Sequence, residues 1–87
     1  MGAMVVKEKL VHIQYFAILR EARGKTEEDI QTTAATAQEL YKELKNKFGF
    51  QIFQDSLRVC VNDEFCDWQT GLKEGDRIVF IPPVAGG

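Results

Sequence analysis

The chain has 87 residues, 45% of them hydrophobic and 28% charged, with a formal net charge of −2; that is enough for one small core and too little for two. The acidic balance argues against a nucleic-acid partner, which would need a basic stripe against the phosphates, and no apolar run approaches the ~18 residues of a membrane span. With no charged-then-apolar leader either, a soluble cytoplasmic protein is expected. Met1-Gly2-Ala3-Met4 reads as a cloning remnant ahead of a start at Met4, and Val6 stands where an acylation signal needs Ser or Thr. Residues 1–3 are therefore set aside, and a single domain is expected over 5–87.

Val11, Ile13 and Tyr15 alternate with Leu10, His12 and Gln14, the period of a strand. Phe16 to Arg23 follows as a short helix, with Phe16, Leu19 and Ala22 on one side and Gly24 as its stop. Thr26 to Thr32 is polar around a single apolar Ile30 and reads as an exposed strand. The clearest element is a helix from Ala37 to Phe48. Thr36 and Glu39 form a Thr-x-x-Glu capping box, in which the hydroxyl accepts from the first-turn backbone and the carboxylate reaches back to the cap's own N–H. Ala37, Leu40, Tyr41, Leu44 and Phe48 make the apolar stripe, Lys42, Glu43, Lys45 and Lys47 the wet side, and Gly49 the C-terminal cap.

Leu57 to Val61 alternates again, closes in an Asn62-Asp63 turn and is followed by a minor strand. Lys73-Glu74-Gly75-Asp76 turns into a last strand, Arg77 to Ile81, which Pro82 and Pro83 end because neither can donate to a ladder. One main helix and four or five strands imply an α+β fold: a mixed sheet with the helix across one face and the first and last strands side by side in the centre. Residues 82–87 then leave the sheet as a projecting tail. Val79 and Ile81 alternate away from the helix and are expected to form an exposed apolar docking patch.

A search for a catalytic constellation finds little. His12 is the only histidine, which leaves no histidine-rich metal centre and reads as a surface residue without a positioned partner. Cys60 and Cys66 have neither a second pair for zinc nor the spacing of a redox dithiol; Cys60, between Val59 and Val61, is expected to pack rather than react, and a disulfide is not expected. Glu27, Glu28 and Asp29 are consecutive on a strand and point to alternate faces, which suits a solvated edge better than a cation site. No phosphate-binding loop occurs. Neither a bound cofactor nor a metal is expected.

What remains is Gly86-Gly87. A frayed terminus is the bland reading. The functional reading is that a terminal carboxylate becomes reactive only by reaching into another protein's active site, where a Cβ would obstruct it; glycine removes the obstruction and widens the available backbone angles. Pro82-Pro83 would stiffen the exit and reduce the entropy lost when a partner grips the tail.

Tyr15-Phe16-Ala17-Ile18-Leu19-Arg20-Glu21 after the first strand, Val61-Asn62, Gly75-Asp76 and the run from Phe80 to Gly87 together resemble the small, sulfur-carrying subunit of molybdopterin synthase, a family of ubiquitin-like β-grasp proteins. The likeness covers Leu10 to Gly87, and Phe50 to Gln54 departs from the pattern. It implies a chain that is no enzyme on its own but the sulfur-donating subunit of a sulfurtransferase. A ubiquitin-activator-like adenylyltransferase would use ATP to join AMP to the Gly87 carboxylate, and sulfur would displace the AMP. The resulting thiocarboxylate would enter the large catalytic subunit, within a heterotetramer, and donate sulfur to cyclic pyranopterin monophosphate. Gly87 would carry the chemistry, with Val79, Phe80, Ile81, Pro82, Pro83, Val84, Ala85 and Gly86 as the docking stem. Related readings are a carrier for thiamine or another thio-product, a modifier joined to lysines, and an interaction module with an idle tail; the two prolines before Val84 favour the molybdopterin carrier.

Overall fold

A computed structural model describes residues 8–82, and in it the alternating segments become one five-stranded sheet. The elements are β1 (Lys9–Tyr15), α1 (Ala17–Arg23), β2 (Glu27–Thr32), α2 (Ala37–Phe48), a single 3-10 turn (Gln54–Ser56), β3 (Arg58–Val61), β4 (Glu64–Cys66) and β5 (Arg77–Ile81). The strand order is β2-β1-β5-β3-β4. β1 and β5 run parallel in its interior and the other pairs are antiparallel, so the expected mixed sheet with its first and last strands adjacent is what forms.

Strand parity decides the core. Val11, Ile13 and Tyr15 of β1, Ile78 and Phe80 of β5 and Val59 of β3 are all at most 1% exposed, and they share one cluster with Ala37, Leu40, Tyr41 and Leu44 of α2. Phe48 and Val61 join that cluster only half-buried. The helix starts as its sequence dictates, with the Thr36 hydroxyl accepting from the Glu39 N–H at 3.2 Å. The second half of the expected box differs: the Glu39 carboxylate turns to the Thr36 hydroxyl at 3.4 Å. At the far end Gly49 takes φ +73°, where a side chain would be strained, and its N–H closes on Lys45 O at 2.9 Å.

Four starts move by one residue from the sequence reading, and β1 gains Lys9. α1 begins at Ala17 because Phe16 is extended and Ala17 adopts φ +50°, a left-handed value that costs a non-glycine residue about 1–2 kcal/mol. Phe16 is 41% exposed and Ala22 is also on the surface, so Leu19 alone anchors that helix in the core. Thr26 precedes β2 and Leu57 precedes β3.

The Asn62-Asp63 turn has φ of +53° and +71°, the left-handed pair that matches the twist of a hairpin. Its side chain does more than turn. The Asn62 amide donates to Asp76 Oδ1 at 2.9 Å, its carbonyl accepts from the Arg77 N–H at 2.9 Å, and Asp76 Oδ2 accepts from the Lys73 N–H at 2.8 Å. Asp76 is 8% exposed with both carboxylate oxygens bonded, so its burial is compensated. The clasp ties the β3–β4 hairpin to the turn that launches β5 and sets where that strand begins.

Candidate functional site

The candidate site is the end of β5 and what surrounds it. β5 is hydrogen-bonded along both edges: Tyr15 lies beside Phe80 on β1, and Arg58 lies beside Ile81 on β3. A strand paired on both sides holds its last residues with little freedom, so whatever follows is launched from a fixed point. Phe80 fixes it further. Its ring is 5.2 Å from that of Tyr41 and stacks on Trp68 at 6.0 Å with an interplanar angle of 10°, a packing that holds the strand on the α2 side. Pro82, the next residue but one, is buried.

The sequence reading placed nine residues, Val79 to Gly87, in the site, and the structure separates them. Phe80 is 0% exposed on the inner face, so it cannot touch a partner; it holds the stem from within. Val79 does face away from α2 as expected, but it is 9% exposed and contributes little area, because Gln14 and Cys60 sit beside it in register. Ile81 is half-buried on that same outer face. Pro83, Val84, Ala85, Gly86 and Gly87 lie outside the described residues, as do residues 1–7.

The residue that sequence reasoning missed is Phe65. It is 60% exposed on β4, pairs in register with Cys60, and carries the Arg58 guanidinium 4.5 Å from its ring centroid. Together Phe65, Ile81 and Arg58 form an apolar surface with a cationic rim beside the exit of β5, the composition of a recognition patch. The signal was a phenylalanine directly after a hairpin turn in a strand too short to show alternation.

Burial pushes the Cys60 thiol above its usual range, which keeps it protonated and unreactive. Cys66 pairs in register with Val59 and so faces the core side, opposite Cys60, and both are free thiols. His12 is not without partners: its Nδ1 is 2.7 Å from Asp29 and its Nε2 2.6 Å from Glu27, and these bonds, Asp29 first, raise its pKa. Glu28 points the other way, where Arg23 meets it with two bonds of 2.6 and 2.8 Å and lowers its pKa, and the Tyr15 hydroxyl donates to it at 2.8 Å. The acidic trio thus splits by parity, as a strand requires, and each member is engaged in structure. No group of three or more His, Cys, Asp or Glu side chains suited to a metal occurs among the described residues.

Residues 13–87 match the ThiS family. The chain belongs to the ThiS family. Among its relatives, the molybdopterin synthase sulfur carrier subunit of Drosophila melanogaster is 35% identical over 81 residues, which span 88% of this chain and 90% of that protein. Among solved structures, the complex of subunits 1 and 2 of the molybdopterin-converting factor from Helicobacter pylori contains a chain 30% identical to this one, with a TM-score of 0.62, 90% of this chain covered and 99% of that one. The small archaeal modifier protein 1 of Methanosarcina acetivorans, 24% identical with a TM-score of 0.75 over 93% of this chain and 99% of its own, shares the fold. The sheet order and the helix across it are those of the ubiquitin-like β-grasp, as the sequence motifs implied. No helix among the described residues is long and apolar enough to cross a membrane.

Proposed function

We propose that this ThiS-family chain is the sulfur carrier of molybdenum cofactor biosynthesis, acting as the small subunit beside a large catalytic subunit of molybdopterin synthase. The observation that carries the reading is the relationship to a sulfur carrier subunit over nearly the whole of both chains, in a family match that runs through to Gly87. The structure adds a physical reason for the architecture. A β5 paired on both edges and locked by Phe80 is a rigid stem, and a rigid stem reduces the ordering cost of presenting a narrow end to another protein.

In this reading the Gly87 carboxylate attacks the α-phosphorus of ATP on an activating adenylyltransferase, releasing pyrophosphate and leaving a mixed acyl-phosphate anhydride. A hydrosulfide sulfur then adds to the carbonyl carbon, the carbon–oxygen bond to AMP breaks, and AMP leaves with the electron pair. The sulfur of the thiocarboxylate so formed bonds to cyclic pyranopterin monophosphate in the large subunit, and water cleaves the resulting thioester, leaving the sulfur on the pterin and a carboxylate on Gly87. This chain contributes the carbonyl and its delivery; the activating groups belong to the partners. The test is to supply the chain with an activating enzyme, ATP and a sulfur source and to read its intact mass. Exchange of oxygen for sulfur adds about 16 Da, a covalent change at the terminus. Absence of that gain, or larger adducts with lysate proteins in its place, would overturn the reading in favour of a modifier or an idle module.

A further inference from the structure

The opposite side of the molecule, the solvent face of α2, carries a feature that sulfur delivery leaves unused. Gln38, Tyr41, Lys42, Lys45 and Asn46 fall at helical spacing on one flank of α2 and border a groove of about 310 Å³, whose other wall is the loop bearing Phe53. Phe53 is 71% exposed, the most exposed of the large apolar side chains among the described residues, and Lys45 Nζ stands 5.2 Å from its ring centroid.

The charge around this groove is one-sided. Neither Lys42 nor Lys45 has a carboxylate within 4.0 Å among the described residues, and no acidic side chain lines the groove. The two carboxylates of α2 are committed elsewhere, Glu39 at the helix cap and Glu43 accepting from the Thr32 hydroxyl at 2.6 Å. A local pair of unneutralised lysines beside a bare aromatic ring stands out on a chain whose net charge is −2. The floor is rigid, because the buried Tyr41 donates its hydroxyl to the Ile52 carbonyl and so pins the Phe53 loop to the helix.

We propose that this groove is a second docking site, independent of the β5 stem, for an acidic peptide segment bearing an apolar anchor. The anchor would pack on Phe53 and the flanking carboxylates would pair with Lys42 and Lys45, so that the apolar contact supplies affinity and the charges supply orientation and on-rate. Because α2 covers the inner face of the sheet, a segment bound here leaves the outer face and the end of β5 free for a second partner.

The test uses the full chain labelled with ¹⁵N and, as probe, a short peptide with a central Leu-Phe pair flanked by Asp and Glu. The comparison peptide replaces every acid with its amide. The acidic probe should shift the amides of Gln38, Lys42, Lys45, Asn46 and Phe53 in a saturable way, more weakly as salt is raised. The amide peptide, the K42E/K45E double variant and Phe53→Ser should each weaken binding by about tenfold or more. Lys42 and Phe53 are exposed and Lys45 is half-buried, and unchanged melting curves would show that the fold is intact. Equal binding of the acidic and amide peptides, shifts confined to the outer sheet face, or no shift at millimolar peptide would each overturn the proposal.

Discussion

The two faces of the sheet are made from alternate residues of the same strands, yet they do different work. On the inner face Ile13, Ile78 and Phe80 are 0% exposed beside α2. On the outer face their neighbours Val79 and Ile81 are sheltered by adjacent strands, and Phe65 stays 60% exposed. One step along β5, from Phe80 to Ile81, therefore crosses from a fully buried residue that stabilises the fold to a half-buried one on the outer face. The separation lets a small domain keep a single core while offering an apolar surface, and it holds only as long as the strand register holds.

The largest effects should come from the inner face. Phe80→Ala should cost about 3–5 kcal/mol and Leu44→Ala about 2–5 kcal/mol in urea unfolding, since each leaves a cavity in a packed interior. A loss under about 0.5 kcal/mol for Leu44→Ala, the size typical of surface sites, would show that α2 is not the cover of this face. On the outer face the pattern should invert. Phe65→Ser should change stability by about 0.5 kcal/mol or less while weakening binding of the large subunit by about tenfold or more. Ile81→Asp should follow it with a somewhat larger stability loss, being half-buried. Equal losses of stability and binding would make the outer face structural and dissolve the contrast.

The smallest effect belongs to the β1–β2 end of the outer face. His12 sits between Asp29 and Glu27, with Arg77 as its register partner on β5, and its folded pKa is raised above the ordinary 6.5. A raised histidine pKa means that the protonated ring stabilises the fold. The contribution is whole below about pH 6.5 and is lost as pH rises through the folded value. Stability should therefore decline across that window, by under about 1 kcal/mol for so exposed a cluster. His12→Gln should remove the decline; an undiminished slope in that variant would assign the pH dependence to another group.

Much of the contrast was legible in the sequence because it rests on period. The capping residue and the stripe of α2 place that helix at Ala37–Phe48, and alternation followed by two prolines places β5 at Arg77–Ile81, both as observed. What escaped was long-range. The carboxylates that flank His12 come from another strand, and their register cannot be read along one segment. Asn62 and Asp76 were visible as family motifs, but their joint role as a clasp needed the hairpin and the β5 turn to be brought together. β4 has three residues, too few to show a period, so Phe65 could not be assigned a face. Phe80 was drawn into the docking stem by its place in the tail motif, although its parity with Ile78 already pointed inward. The 3-10 turn at Gln54–Ser56 has no periodic signature.

In the proposed function, sulfur uptake depends on the position of the Gly87 carboxylate, whereas folding does not. One Cα-to-Cα step is about 3.8 Å, more than a near-attack geometry tolerates. The direct measurement is to delete Gly87, record the melting curve, supply the activating enzyme, ATP and a sulfur source, and follow the intact mass beside the parent chain. The shortened chain should show an unchanged melting curve and no gain of the ~16 Da that sulfur in place of oxygen adds. A shortened chain that takes up sulfur at its new terminus as quickly as the parent would contradict it.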